Sequence, residues 1–133
     1  MARPASKHPT ELELEILKII WHDGALPVSK VRDKLAGFRD LAVTSVTTVM
    51  NIMVRKGYLG KSKVRGTFVY AARAKEAATT RRMLKDVVDR VFDGSAAAVV
   101  AGLLDNADLD EAELGKIQNL LNRQKGDRHE PSA

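Results

Sequence analysis

The chain has 133 residues, no cysteine and a formal net charge of +5. A chain of this length buries one core of ordinary size or two small ones, and the lack of cysteine excludes disulfides and thiolate metal sites. The longest apolar stretch, from Ala96 to Leu104, is far shorter than the roughly 20 residues that span a bilayer, and Met1 to Pro9 lacks the apolar core of a signal peptide, so we expect a cytoplasmic protein without a membrane partner.

The first elements in chain order are a polar arm and two helices. Residues 1–9 contain two prolines and no periodicity, which predicts a flexible arm. Helical periodicity begins at Thr10, which forms a capping box with Glu13, and continues to about Trp21. A second, short helix capped by Ser29 follows it.

The next elements are a longer helix and a hairpin. The third helix is predicted from Thr44 to Lys56, just before a glycine. After it the periodicity changes to about two, with Arg65-Gly66 in the turn, which is typical of a two-stranded β-hairpin. The sequence therefore predicts a mainly α fold, with a winged helix-turn-helix of three helices and a hairpin wing over residues 10–73.

The second half carries three more amphipathic helices. One of them is predicted to be capped by Ser95, and the last by Asp108 with Glu111. Such helices expose more apolar surface than they bury alone, which favours a helical dimerisation domain over residues 74–125, followed by a flexible tail over 126–133. The alternative is that they pack back on the winged helix. The candidate dimerisation residues are Leu84, Val87, Val88, Val91, Val100, Leu103, Leu104, Leu114, Ile117, Leu120 and Leu121.

Charge is divided unevenly along the chain. Residues 1–73 hold 13 Lys and Arg against 6 Asp and Glu, a net charge of +7, whereas residues 74–133 hold 9 against 11, a net charge of −2. Between Leu41 and Lys75 there are seven basic residues and no acidic one. A basic, acid-free stretch of this kind is typical of a surface that binds DNA, although basic asymmetry also suits an anionic membrane or an acidic partner.

The third helix carries a polar face suited to the major groove. At 100° per residue its polar residues fall opposite an apolar arc that includes Val46, Val49 and Met50. Short hydroxyls let a helix lie deep in the groove, their methyls can contact thymine, and Asn51 is suited to bidentate pairing with adenine. A single hydroxyl of this kind is more typical of solvated surface or helix capping, but five of these polar residues on one arc, followed by an acid-free basic wing, favour a DNA-reading face.

The hairpin adds positive charge beside this face. Lys61, Lys63 and Arg65 alternate along the first strand and reach its tip, where they can bind phosphates, although exposed lysines also protect sheet edges from aggregation. Arg55 and Lys56, at the end of the third helix, are further candidates for phosphate contacts. The candidate DNA-binding residues are Thr44, Ser45, Thr47, Thr48, Asn51, Arg55, Lys56, Lys61, Lys63 and Arg65.

Several segments taken together resemble the penicillinase-repressor family of bacterial transcriptional regulators. They are PTELELEILKIIW at the start, LAVTSVTTVMNIMVRKGYL across the third helix, RGTFVY in the wing, and DRVFDGS and DLDEAELGKIQNLLN in the second half. The resemblance runs from about Pro9 to Gln124. It implies a winged-helix repressor that forms a homodimer through its C-terminal helices and binds a double-stranded DNA operator with an inverted repeat. It also implies recognition-helix contacts at Thr44, Ser45, Thr47 and Thr48, and wing contacts from Lys63 to Arg65.

Two positions depart from the family pattern. Ile52 stands where many members have arginine, and Asp86-Val87 stands where antibiotic-responsive members have the Asn-Phe bond that is cleaved on induction. The absence of cysteine also excludes the cysteine cluster of copper-responsive relatives.

Other classes of function fit the sequence less well. The histidines His8, His22 and His129 are scattered, and no Gly-rich phosphate loop is present, so no catalytic, metal or cofactor site and no small-molecule ligand is identified. The alternative that we retain is a winged helix used for protein-protein contacts, although a protein-binding wing does not need to exclude carboxylates.

Overall fold

A computed structural model describes residues 8–106 and 108–128. The predicted arm therefore lies mostly outside the described residues, as does the end of the predicted tail. Within the described residues, six helices and one hairpin confirm the predicted mainly α fold, a winged helix followed by further helices. In chain order the elements are α1 (Glu11–Asp23), α2 (Val28–Leu35), α3 (Val43–Arg55), β1 (Leu59–Val64), β2 (Thr67–Ala72), α4 (Glu76–Val91), α5 (Ala96–Asn106) and α6 (Glu111–Arg128).

The start of α1 has the predicted capping box. The backbone N–H of Glu13 donates to the hydroxyl oxygen of Thr10 at 3.2 Å, and the backbone N–H of Thr10 donates to Glu13 Oε1 at 2.9 Å. These two bonds satisfy donors that a helix start otherwise leaves unpaired. The helix runs on to Asp23, two residues past the predicted end, and Gly24 follows it with a φ of 87°.

The predicted start of α2 was two residues too late, and that of α3 was one residue too late. Pro27, rather than Ser29, occupies the cap position of α2, because its extended backbone and missing N–H suit a helix entry. Ala42, rather than Thr44, precedes α3, which begins at Val43. Neither cap makes a side-chain hydrogen bond, so the hydroxyls near both starts are not used for capping there.

Of the two later caps, one was predicted correctly and the other was wrong. Ser95 caps α5 as predicted, since its hydroxyl accepts the backbone N–H of Ala98 at 3.0 Å. The cap of α6 is Asp110 instead of Asp108: Asp110 Oδ1 accepts the backbone N–H of Glu113 at 2.8 Å. The helix then continues to Arg128, so the predicted tail is helical over its first three residues.

The hairpin has the predicted two-residue turn. Arg65 and Gly66 both have positive φ, 51° and 80°, which is the backbone of a type I′ turn. The antiparallel register pairs Lys61 with Tyr70 and Lys63 with Phe68. An additional bridge joins Leu26, in the segment before α2, to Tyr70, so the base of the wing is held to the helical part of the fold.

The core joins the first three helices to the base of the wing. The apolar arc of α3 faces inward as predicted, with Val46, Met50 and Met53 buried. Trp21 Nε1 also donates to the carbonyl of Ala74 at 2.8 Å, which ties α1 to the chain that leaves the wing. The buried apolar residues are Ile16, Leu17, Ile20, Val31, Leu35, Val46, Met50, Met53, Leu59 and Tyr70.

The chain forms two compact units, one up to Lys85 and one from Asp86. Most of α4 belongs to the first unit. From residue 80 to 126, leaving out residue 107, no side chain is buried, so the second unit has no core of its own in the single chain. No helix within 8–106 or 108–128 has the length and apolar character needed to cross a membrane.

Candidate nucleic-acid interface

The polar face of α3 is the outward face of the helix. Thr44, Ser45 and Thr48 are exposed, and Thr47 is half-buried at the edge of the face. Arg55 is exposed at the C-terminal end of α3. Ile52, which stands where many family members have arginine, is half-buried. The helix therefore presents short hydroxyl side chains, without bulky groups, along its first two turns.

Two of these hydroxyls are already hydrogen-bonded within the helix. Thr47 Oγ1 donates to the carbonyl of Val43 at 2.8 Å, and Thr48 Oγ1 donates to the carbonyl of Thr44 at 2.9 Å. The hydroxyl protons are thus directed back at the helix. What Thr47 and Thr48 present outward is a methyl group and acceptor lone pairs, which suit a thymine methyl and the amino groups of adenine or cytosine.

Asn51 connects the helix to the wing. Its Oδ1 accepts hydrogen bonds from Lys61 Nζ at 3.2 Å and from the hydroxyl of Tyr70 at 3.0 Å. Bidentate pairing with adenine requires this oxygen to accept from the base instead. The geometry favours a positioning role for Asn51, in which it holds the wing against α3, over the predicted direct reading of a base.

One face of the wing continues the polar face of α3. Lys61 and Lys63 lie on the same face of the hairpin as Phe68 and Tyr70, and the Nζ atoms of the two lysines are 4.3 and 5.5 Å from the centre of the Phe68 ring. The ring supports both ammonium groups by cation–π attraction while they stay exposed. Arg65 lies at the tip, in the turn. The wing thus carries three cations beside the hydroxyl face.

Lys56 does not join this surface. Its Nζ lies 2.9 Å from Glu13 Oε2 and 3.1 Å from Glu13 Oε1, and the Glu13 side chain is only 4% exposed. A buried carboxylate needs a charged partner, so the ammonium neutralises Glu13 instead of remaining available to a phosphate. We therefore remove Lys56 from the predicted DNA contacts.

Two arginines outside the predicted site, Arg32 and Arg39, hold the segment between α2 and α3. Arg39 Nε donates to Glu15 Oε2 at 2.5 Å, and this hydrogen bond raises the pKa of Arg39 above its usual value. Arg32 Nε donates to the carbonyl of Leu41 at 3.2 Å. Both contacts fix the approach to the start of α3. The only sequence signal for them was basic residues next to the turn.

Comparison with known protein families gives a match over most of the chain. The profile of the penicillinase repressor family matches residues 9–123. The chain belongs to the penicillinase repressor family. Similar members include the methicillin resistance regulatory protein MecI of Mammaliicoccus sciuri, 22% identical over 84% of this chain and 90% of the relative, and the penicillinase repressor of Bacillus licheniformis, 22% identical over 91% and 94%. Family membership confirms the resemblance seen in the sequence and places the chain in a family of bacterial transcriptional repressors.

A solved structure with some overall similarity is that of a MarR family protein from Bacillus stearothermophilus. It is 16% identical, covers 91% of this chain and 76% of its own, and superposes with a TM-score of 0.48. Within the described parts of this penicillinase repressor family member, no group of three or more His, Asp or Glu side chains is placed to hold a metal ion.

Proposed function

We propose that this penicillinase repressor family member is a dimeric, sequence-specific DNA-binding repressor that acts in the cytoplasm on an inverted-repeat operator. The observation that carries the proposal is the surface formed by α3 and the wing. Exposed hydroxyl side chains of α3 and three wing cations lie in a stretch of sequence that contains no carboxylate, and Lys61 joins the wing to α3 at Asn51.

The two parts of this surface have different tasks. Lys61, Lys63 and Arg65 attract phosphates, and this attraction does not depend on base sequence. Thr44, Ser45, Thr47 and Thr48 carry no charge, so their contribution is discrimination among bases through methyl contacts and hydrogen bonds. Asn51 acts between the two parts, because its bonds to Lys61 and Tyr70 hold the wing at a set distance from α3.

Dimer formation is supported by the helices of the second unit. Leu103, Leu104 and Leu120 are each about half exposed in the single chain, and with residues of α5 and α6 they line an apolar groove of about 270 Å³. A unit without a buried residue gains its core by pairing, and a second copy of the chain supplies a matching apolar face by symmetry. Two paired chains present two reading surfaces, which is why an inverted repeat is expected.

Selection of bound duplexes from a random pool tests the proposal. The full chain is expected to enrich an inverted repeat, which demonstrates both base reading and two-fold symmetry. Thr48→Ala is expected to weaken the enrichment. Its matched control is Thr80→Ala, because Thr80 is also exposed and also donates its hydroxyl to a carbonyl four residues earlier, at Glu76.

A pool that shows no enrichment would refute sequence-specific binding. In that case the retained alternative, a winged helix used for protein-protein contacts, would be favoured. Enrichment of single half-sites without symmetry would refute the dimeric part of the proposal and leave base reading in place.

A further inference from the structure

The first unit has a basic groove that lies apart from the surface formed by the hydroxyl side chains of α3 and the wing. It has a volume of about 420 Å³ and is formed where the end of α3, the end of β2 and the first turns of α4 meet. Its lining includes His8, Lys56, Arg73, Lys75 and Arg82, and none of the described lining residues is acidic. The volume falls in the range of small-molecule sites.

Three of the groove cations lack a carboxylate partner among the described residues, unlike several other basic residues of the unit. Lys34 lies 3.0 Å from Asp23, Arg39 lies 2.5 Å from Glu15, and each is thereby neutralised. Arg73, Lys75 and Arg82, in contrast, have no ion pair with any residue in the described part of the chain, and all three are exposed. Like charges gathered around one concavity repel each other, and a bound anion relieves this repulsion.

Several backbone carbonyls near the groove are already hydrogen-bonded. The carbonyls of Ile52, Met53 and Val54, at the end of α3, already accept backbone N–H groups from the three residues that follow the helix. The carbonyl of Tyr58 accepts two more, from Arg73 at 2.9 Å and Ala74 at 3.1 Å. The groove therefore offers charged donors, while the nearby carbonyl acceptors are occupied.

The groove suits a small anion better than a DNA backbone. Lys56, in its lining, is twelve positions beyond Thr44, which is about 18 Å along the axis of α3. A duplex read by Thr44 to Thr48 presents a convex surface, whereas this site is concave. Arg73 and Arg82 line the groove, and a guanidinium group can donate two parallel hydrogen bonds to the oxygens of one phosphate or carboxylate group.

We propose that this groove binds a small molecule carrying two or more phosphate or carboxylate groups, and that binding alters operator affinity. The site itself is independent of DNA binding, whereas its regulatory effect rests on the proposed function. The route of coupling is Lys56, which caps the end of α3 and lines the groove. A bound anion that draws the Lys56 ammonium away from Glu13 changes a contact at the C-terminal end of α3, the helix that is proposed to read DNA.

Calorimetric titration of the full chain without DNA tests the site, with inorganic pyrophosphate and citrate as separate probes at constant ionic strength. We expect one or both to bind, which also identifies phosphate or carboxylate as the preferred group. Arg82→Gln is expected to weaken binding about tenfold or more, because it removes charged hydrogen bonds. The control Arg81→Gln changes an exposed neighbour that is not in the lining and should alter affinity less than about twofold.

A second pair of variants places a negative charge at or beside the groove. Ala78→Glu puts a carboxylate into the lining and should abolish binding, whereas Ala77→Glu, at an exposed position outside the lining, should not. Circular dichroism checks that all four variants fold. No heat with either probe, or equal losses in the variants and their controls, would overturn the site.

Operator affinity measured with and without the bound probe tests the regulatory part. We expect pyrophosphate or citrate to change the operator dissociation constant of the unaltered chain but not of Ala78→Glu. An equal effect on both would mean simple competition by salt and would overturn the coupling. A chain that binds the probe but no DNA would refute the proposed function and leave the site standing.

Discussion

The Lys56–Glu13 pair allows a test that separates stability from DNA binding. Lys56→Met keeps the aliphatic stem but removes the ammonium. Glu13, 4% exposed, then retains the backbone N–H of Thr10 as its remaining donor. Breaking a buried ion pair from one side costs about 3 to 5 kcal/mol, and the remaining N–H places the expected loss near the lower end, at about 3 kcal/mol.

The opposite change should cost less. In Glu13→Gln the side-chain carbonyl still accepts from Thr10, and Lys56, at 28% exposure, reaches water. We expect a loss of about 1 kcal/mol. The double variant should lose less than the two single losses combined, because the two residues interact directly.

Urea denaturation followed by fluorescence measures these losses. The chain has one tryptophan, Trp21, and it lies in the first unit, bonded to Ala74. In parallel, the salt dependence of DNA affinity should be the same for Lys56→Met as for the unaltered chain. Lys63→Met should instead reduce the log-log slope by about 1.8, because the dimer loses one phosphate contact from each subunit. A stable Lys56→Met protein with a reduced slope would refute the assignment of Lys56 to the ion pair.

Three further predictions concern the reading face, the dimer and a surface carboxylate. Thr48→Ala should reduce the preference for operator over random DNA by about 1 kcal/mol in fluorescence anisotropy and leave random-DNA affinity nearly unchanged; equal losses on both DNAs would mean that Thr48 only positions the helix. Leu120→Glu should convert the dimer to monomer in sedimentation velocity, whereas Gln118→Glu on the same helix should not; an intact Leu120→Glu dimer would place the interface elsewhere. Hydrogen bonds from His22 and then Lys34 lower the pKa of Asp23 below 3.8, so that this pairing stabilises the fold above pH 3.8 and is lost as the pH falls through the lower folded-state value. His22→Ala should therefore raise the pKa of Asp23 toward 3.8 in an NMR titration; an unchanged value would contradict the assignment.

Local signals in the sequence were sufficient to predict most of the helices and strands. The capping box of α1 and the turn at Arg65-Gly66 depend on residues within four positions of each other, and both were predicted correctly. Helix starts were less certain where several capping residues lie close together. Asp108 with Glu111 and Asp110 with Glu113 have the same spacing, and only the folded backbone shows that Asp110 forms the cap.

Contacts between distant parts of the chain could not be predicted in this way. Lys56 and Glu13 are 43 positions apart, and a basic residue at the end of a recognition helix looks like a phosphate contact until its partner is known. The hydrogen-bond partners of Asn51 could not be predicted either, because its bonds to the wing depend on the packing of the hairpin against α3. The outward polar face of α3 followed from helical periodicity alone, since the buried residues of α3 recur with that period.

The most direct test of the central claim is the ratio of two affinities at one salt concentration. Fluorescence anisotropy at about 150 mM salt compares the selected inverted repeat with a duplex of the same length and scrambled sequence. We predict that the chain binds the inverted repeat at least about a thousandfold more tightly, and that scrambling one half-site removes much of this preference. Equal affinity for the two duplexes would contradict the claim that α3 and the wing together read a DNA sequence.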